Sequence, residues 1–140
     1  MKKLLLLALF SIFALGAQAQ TIAGANIIQV KGVYDFQTEF NEYRINSYLK
    51  YRLEEYGFTV YYDTQEVPAE VANDSCKELK CVVERDKSML ATKLTIKLVD
   101  CKGNVVFSAD GQSRIKKRAK SHVDAIKNAL EHSALNSLKK

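Results

Sequence analysis

The sequence predicts an α+β domain, a two-layer sandwich with element order β-α-β-β-β-β-α in which the two long helices cover one face of a mixed sheet. Three observations carry this prediction. Residues Leu94-Thr95-Ile96-Lys97-Leu98 place an apolar side chain at every second position, the period of a half-buried strand. From about Thr38 to Tyr56, the residues Phe40, Ile45, Tyr48, Leu49, Leu53 and Tyr56 lay an apolar stripe along one helix face. From Ser113 to Leu138, the residues Ala119, Val123, Ile126, Leu130, Ala134 and Leu138 lay a second one.

The chain opens with a basic start at Lys2 and Lys3, an apolar run from Leu4 to about Ala17, and small residues at Ala17 and Ala19. This is the pattern of a secretory signal peptide over residues 1–19, cut near Ala19, and residues 20–140 then form one domain. The run is shorter than the roughly 20 residues a spanning helix needs, and no second long apolar run follows, so the mature chain reads as having no transmembrane segment. Export places the chain in the periplasm or outside the cell. Without Lys2 and Lys3, 19 basic residues face 16 acidic ones, a net charge of +3. So small an excess in an exported chain argues against nucleic acid as a partner.

Asn26 to Tyr34 reads as the first strand, with Ile28 and Val30 on one face and Ile27 on the other. Gly57 ends the first helix, as a left-handed residue after the last turn would. Phe58 to Tyr62 alternates as a second strand, parallel to the first because a helix connects them. Asp63 to Glu78 is an acidic connection, in which Pro68 opens a short helical turn through Asn73. Its carboxylates lack the ordered spacing and central Gly of a calcium loop, so it reads as solvated and no metal site is assigned.

Lys80 to Arg85 forms a third strand, turning near Lys87-Ser88 into the strand around Ile96. A two-residue loop at Lys102-Gly103 then sets Cys101 opposite Asn104, Leu98 opposite Phe107 and Ile96 opposite Ala109 in a fifth strand, Val105 to Ala109. If Asp86 faces Ala91, Cys76 lands opposite Cys101 and Cys81 opposite Ile96. Cys81 would then stand about 17 Å along the strand from Cys101, beyond the reach of a disulfide. A Cys76–Cys101 bond and a free, buried Cys81 follow on that register, while a tighter turn would instead put Cys76 opposite Val99.

The last helix begins among Arg114, Lys116, Lys117, Arg118 and Lys120, cations that oppose the macrodipole. A firmer start lies at Ser121, where Ser-x-x-Asp through Asp124 resembles a capping box. The basic run is either a solubilising face or a patch for anionic headgroups, envelope polymer or an acidic partner. All seven tyrosines lie between Tyr34 and Tyr62. Tyr48 and Tyr56 belong to the helix stripe, whereas Tyr43 and Tyr51 fall away from its centre and Tyr61 lies on the alternate face of the second strand, and these are either core or boundary packing or a binding face. His122 and His132, ten positions apart, read as surface or boundary residues and not as a metal pair. No nucleophile elbow, phosphate-cradling glycine loop or Cys-x-x-Cys motif is present, and no cofactor is implied.

Gly57-Phe58-x-Val60-Tyr61, Cys76, and Leu94-Thr95-Ile96-Lys97-Leu98-x-Asp100-Cys101-x-Gly103-x-Val105-Val106-Phe107 resemble small uncharacterised exported proteins of Bacteroidota. The resemblance covers most of the mature chain and implies no site residue. In architecture the chain is similar to the amino-terminal domain of the Tol translocation protein and to outer-membrane activators of peptidoglycan synthases, an analogy of folds that transfers no function. The leading expectation is a non-enzymatic envelope binding or adaptor domain that uses the aromatic segment or the basic start of the last helix. A small hydrolase or thiol enzyme assembled in space is the second, and a structural envelope protein without a specific ligand the third. The sequence sets no oligomeric state.

Overall fold

The computed structural model describes residues 22–87 and 90–138. The expected leader over residues 1–19, its expected cleavage site near Ala19 and the turn residue Ser88 lie outside the described residues. In chain order the elements are β1 (Ile27–Val30), α1 (Ile45–Glu55), β2 (Thr59–Tyr62), a single-turn α2 (Ala69–Asn73), β3 (Glu78–Asp86), β4 (Thr92–Val99), β5 (Val105–Ser113) and α3 (Arg118–Glu131). Apart from the short α2, this is the order the sequence predicts. The sheet runs β2-β1-β3-β4-β5, with β1 parallel to β2 and β3, and β3-β4-β5 an antiparallel meander.

Strand alternation decides the layers. Ile28 and Val30, Leu79, Cys81 and Val83, and Leu94, Ile96 and Leu98 all face one side. There they meet Ile45, Leu49 and Leu53 of α1 and Ala125, Ile126, Ala129 and Leu130 of α3 in one buried cluster. Each large aliphatic side chain fully buried this way contributes roughly 1.5–3 kcal/mol. Arg52 links the helices: it is ion-paired with Glu55 at 3.1 Å and reaches Glu131 of α3 at 3.6 Å. On the opposite face Ile27, Tyr61 and Val71 form a small second cluster under α2. The remainder of that face carries polar pairs such as Lys97–Glu84 and Thr95–Asp110. Among the described residues no helix is long and apolar enough to cross a membrane.

Four details differ from expectation, each for a local reason. The helix expected from Thr38 starts at Ile45, because Asn41, Tyr43 and Arg44 take left-handed backbone angles with φ of 58°, 60° and 60°. A buried polar knot holds that segment. The amide of Asn46 donates to the carbonyls of Lys31 and Gly32, and Gln37 donates to Asn46 Oδ1 and the Glu42 carbonyl.

The β3–β4 register places Cys81 opposite Leu98 and Asp86 opposite Lys93, two positions from the expected alignment. An even shift keeps every side chain on its face, so the alternation of residues could not detect it.

The β4–β5 pairs Leu98–Phe107 and Ile96–Ala109 are as expected, but the turn is a three-residue loop. Asp100 N–H donates to the Asn104 carbonyl, Gly103 adopts φ 83°, and the ladder slips between Leu98 and Val99 to absorb the extra residue. The Cys76–Cys101 disulfide forms with a Cα–Cα distance of 4.9 Å, although neither cysteine stands on the ladder. Cys76 lies in a 3-10 turn before β3, and Cys101 in the loop after Asp100.

Finally, β5 extends to Ser113 and α3 begins at Arg118, not at Ser113 or Ser121. Ser121 does not cap; its hydroxyl donates to the Arg118 carbonyl at 2.9 Å, inside the first turn. Gly111 permits the longer strand. A Cβ there would lie 1.8 Å from the Ala125 carbonyl oxygen and 2.7 Å from the Ala129 nitrogen, so β5 and α3 meet backbone to backbone.

Candidate functional site

Where β3 ends, β4 begins and β5 hands over to α3, two connections flank a cleft of about 670 Å³. The segment before α1 closes it with Phe36, Thr38, Glu42 and Tyr43. Five basic side chains line it, Arg85, Lys87, Arg114, Lys116 and Arg118, against the two acids Glu42 and Asp86. None of the five is in an ion pair among the described residues. Arg85 lies over the Phe36 ring at 5.1 Å from its centroid, a cation–π contact that leaves the charge available to a ligand.

The start of α3 adds to this field. Its flanking residue Lys117 provides no side-chain cap, and no acid stands in its first turn. The first amides of a helix point outward and carry partial positive charge, which an anion stabilises and neighbouring cations do not.

His122 is the buried member of the site, 3 % exposed where the sequence suggested a surface or boundary position. The difference arises from the true inner face of α3, which is Ser121, His122, Ala125, Ile126, Ala129 and Leu130, rotated from the expected stripe once Gly111 lets the helix close onto β5. Its Nδ1 stands 2.6 Å from the Arg118 carbonyl, so Nδ1 carries the proton and Nε2 is left as an acceptor. That Nε2 is buried without a hydrogen-bond partner among the described residues. The ring stacks on Tyr43 at 4.2 Å and, at 6.2 Å, on Phe36. Burial lowers its pKa from the ordinary 6.5, and the Arg85 and Arg118 charges act in the same direction.

Of the residues singled out in the sequence, Tyr43, Arg114, Lys116 and Arg118 come together here. Lys117 and Lys120 are exposed at the start of α3 outside the lining. Tyr51 is 57 % exposed on α1 and does not line the cleft. Tyr61 is 6 % exposed on the other sheet face, where it donates to Glu78 and accepts from Gln29, and burial pushes its hydroxyl up to about 12. Arg85 and Phe36 were not assigned to a site and His122 was read as a surface or boundary residue, since only the fold brings the end of β3, the segment before α1 and the inner face of α3 to one place.

Cys81 is buried in the core, and burial pushes its thiol up to about 12. A nucleophile needs the thiolate and access to substrate, and this position supplies neither. In the acidic connection, Asp63 accepts from Gly32 N–H and Asp74 from Cys76 N–H. Among the described residues no group of three or more His, Cys, Asp or Glu side chains could hold a metal ion.

These features define a class: a two-layer α+β domain with an electropositive, aromatic-walled cleft at one end of its sheet. No family model matches the sequence, and no curated protein does. Among solved structures, the chain is similar to a leucine-to-methionine variant of the PelC dodecamer from Paraburkholderia phytofirmans, with 18 % identity and a TM-score of 0.50 over 81 % of this chain and 91 % of that one. It is also similar to the PelC dodecamer of the same organism in a second crystal form, with 19 % identity and a TM-score of 0.49 over the same shares. At this identity the first likeness shows a shared fold.

Proposed function

We propose that this chain is a non-enzymatic binding domain of the cell envelope that takes an anionic ligand in the cleft at the start of α3. One observation carries the reading: a helix start without a side-chain cap and five basic side chains, none in an ion pair among the described residues, converge on a single concavity with the buried His122 in its wall. An anion would answer both features, by accepting from the helix amides and from the basic side chains. Export is supported by the leader-like residues 1–19. The thiol-enzyme alternative loses its nucleophile with the burial of Cys81.

The test is a titration with inorganic phosphate and tripolyphosphate followed by amide NMR. Saturable shifts centred on Arg118 to His122 and on Arg85 are the expected result. Absence of saturable binding, or shifts confined to the other sheet face, would leave a structural envelope protein as the better reading.

A further inference from the structure

We infer that the cleft, with the exposed Leu90 and Ile115 at its edge, forms a docking surface for an anionic phospholipid membrane, an assignment that rests on reading the cleft as an anion site. The second observation is apolar. Leu90, in the connection leading into β4, is 92 % exposed, and Ile115, between β5 and α3, is 45 % exposed. Both line the cleft that holds the cations. Ile115 sits in the run Arg114-Ile115-Lys116-Lys117-Arg118, and Lys87 lies three residues before Leu90.

A site for a small soluble anion needs the cations and the helix amides but gains nothing from aliphatic side chains held out in water beside them. A bilayer surface uses both. Its headgroups carry the phosphates that the cations and the first amides of α3 can bind, and the acyl boundary just beneath accepts short aliphatic tips. Each Lys or Arg brought near an anionic leaflet strengthens binding about fivefold. Peripheral attachment strengthens with buried apolar area and with attraction to anionic lipid together. The fold presents this combination at one end of the sheet. Arg114 follows directly on β5, and α3 is anchored on Gly111.

The test uses the chain purified in its exported form and vesicles of phosphatidylcholine alone or with about 30 % phosphatidylglycerol. Co-sedimentation with the anionic vesicles only, weakened at least tenfold by raising the salt, is expected. The double variant Leu90→Asn/Ile115→Asn should lose at least tenfold in vesicle binding while keeping its thermal midpoint, since both side chains are exposed. Arg114→Gln/Lys116→Gln should weaken both phosphate and vesicle binding. Equal binding to both kinds of vesicle, or no effect of the aliphatic substitutions, would overturn the membrane assignment. Phosphate binding without vesicle binding would overturn it too but leave the cleft as a site for a soluble anion. Loss of both would overturn the cleft reading as well.

Discussion

The ring of His122 lies 4.2 Å from that of Tyr43 and within 12° of parallel, and Tyr43 reaches it from a left-handed backbone. A non-glycine residue in that conformation costs roughly 1–2 kcal/mol, while an aromatic pair contributes about 0.5–1.5 kcal/mol beyond its buried area. The stack therefore offsets much of the strain at Tyr43. At Arg44, also left-handed and exposed, no comparable ring contact among the described residues does so. Arg44→Gly should raise stability by up to about 1 kcal/mol, and Tyr43→Gly should lower it by about the same amount. Urea unfolding of the two variants checks this, and a clear loss for Arg44→Gly would refute the strain account.

Gly111→Ala forces a methyl group into the backbone of α3. Because the nearest atoms are a carbonyl oxygen and an amide nitrogen, the clash cannot be relieved by turning a side chain. A loss of about 3 kcal/mol or more is expected in denaturant unfolding, near the upper end for a single substitution. Retention of wild-type stability would mean that α3 sits farther from β5.

The folded state should weaken in mild acid. An unfolded His122 takes up its proton near pH 6.5, whereas burial holds the folded pKa lower. Below pH 6.5 the unfolded state therefore binds more protons, so the stabilising contribution is complete above that pH and is lost as pH falls towards the folded pKa. Arg85, Arg118 and Glu42 are the charged groups acting on the imidazole. Urea midpoints at about pH 7.5 and 5.5 should differ, and the difference should shrink in His122→Phe. An unchanged slope in that variant would show that His122 titrates alike in both states.

Removing the disulfide should cost about 3 kcal/mol. It joins residues separated by 25 positions, and closing a loop of that size in the unfolded chain accounts for an effect of this order. Cys76→Ser/Cys101→Ser should show the loss without reductant, and the wild type should show it with reductant. Cys81 should resist alkylation at neutral pH until denaturant is added, because its thiol is buried in the core. Rapid labelling of Cys81 in the native protein would contradict its placement.

Much of the sheet was legible because alternation is a local signal. Leu94 to Leu98 and their partners Phe107 and Ala109 could be aligned from the residues alone. The β3–β4 slip was hidden by its even size, and the disulfide was expected with the right partners but through the wrong alignment. The segment before α1 defeated the helical pattern because Asn46 donates to the distant carbonyls of Lys31 and Gly32 and accepts from Gln37, bonds that no periodicity records. At the cleft, Arg114, Lys116 and Arg118 stood out as a run. His122 did not, since its burial depends on how closely α3 approaches a single glycine one strand away.

The strand order has a kinetic consequence. The meander β3-β4-β5 joins neighbours in sequence, and α3 packs straight back onto β5 and β4. The short β1 must instead insert between β2 and β3, pairing Ile28 with Leu79 across about 50 residues. Early loop closures are small and late ones large, so the folding nucleus should lie in the carboxy-terminal half, with β1 and β2 docking after the rate-limiting barrier. Truncating Ile96 should slow folding, whereas truncating Ile28 should chiefly speed unfolding. For a chain whose amino-terminal end emerges first, the portion delivered earliest would then wait for the portion delivered last.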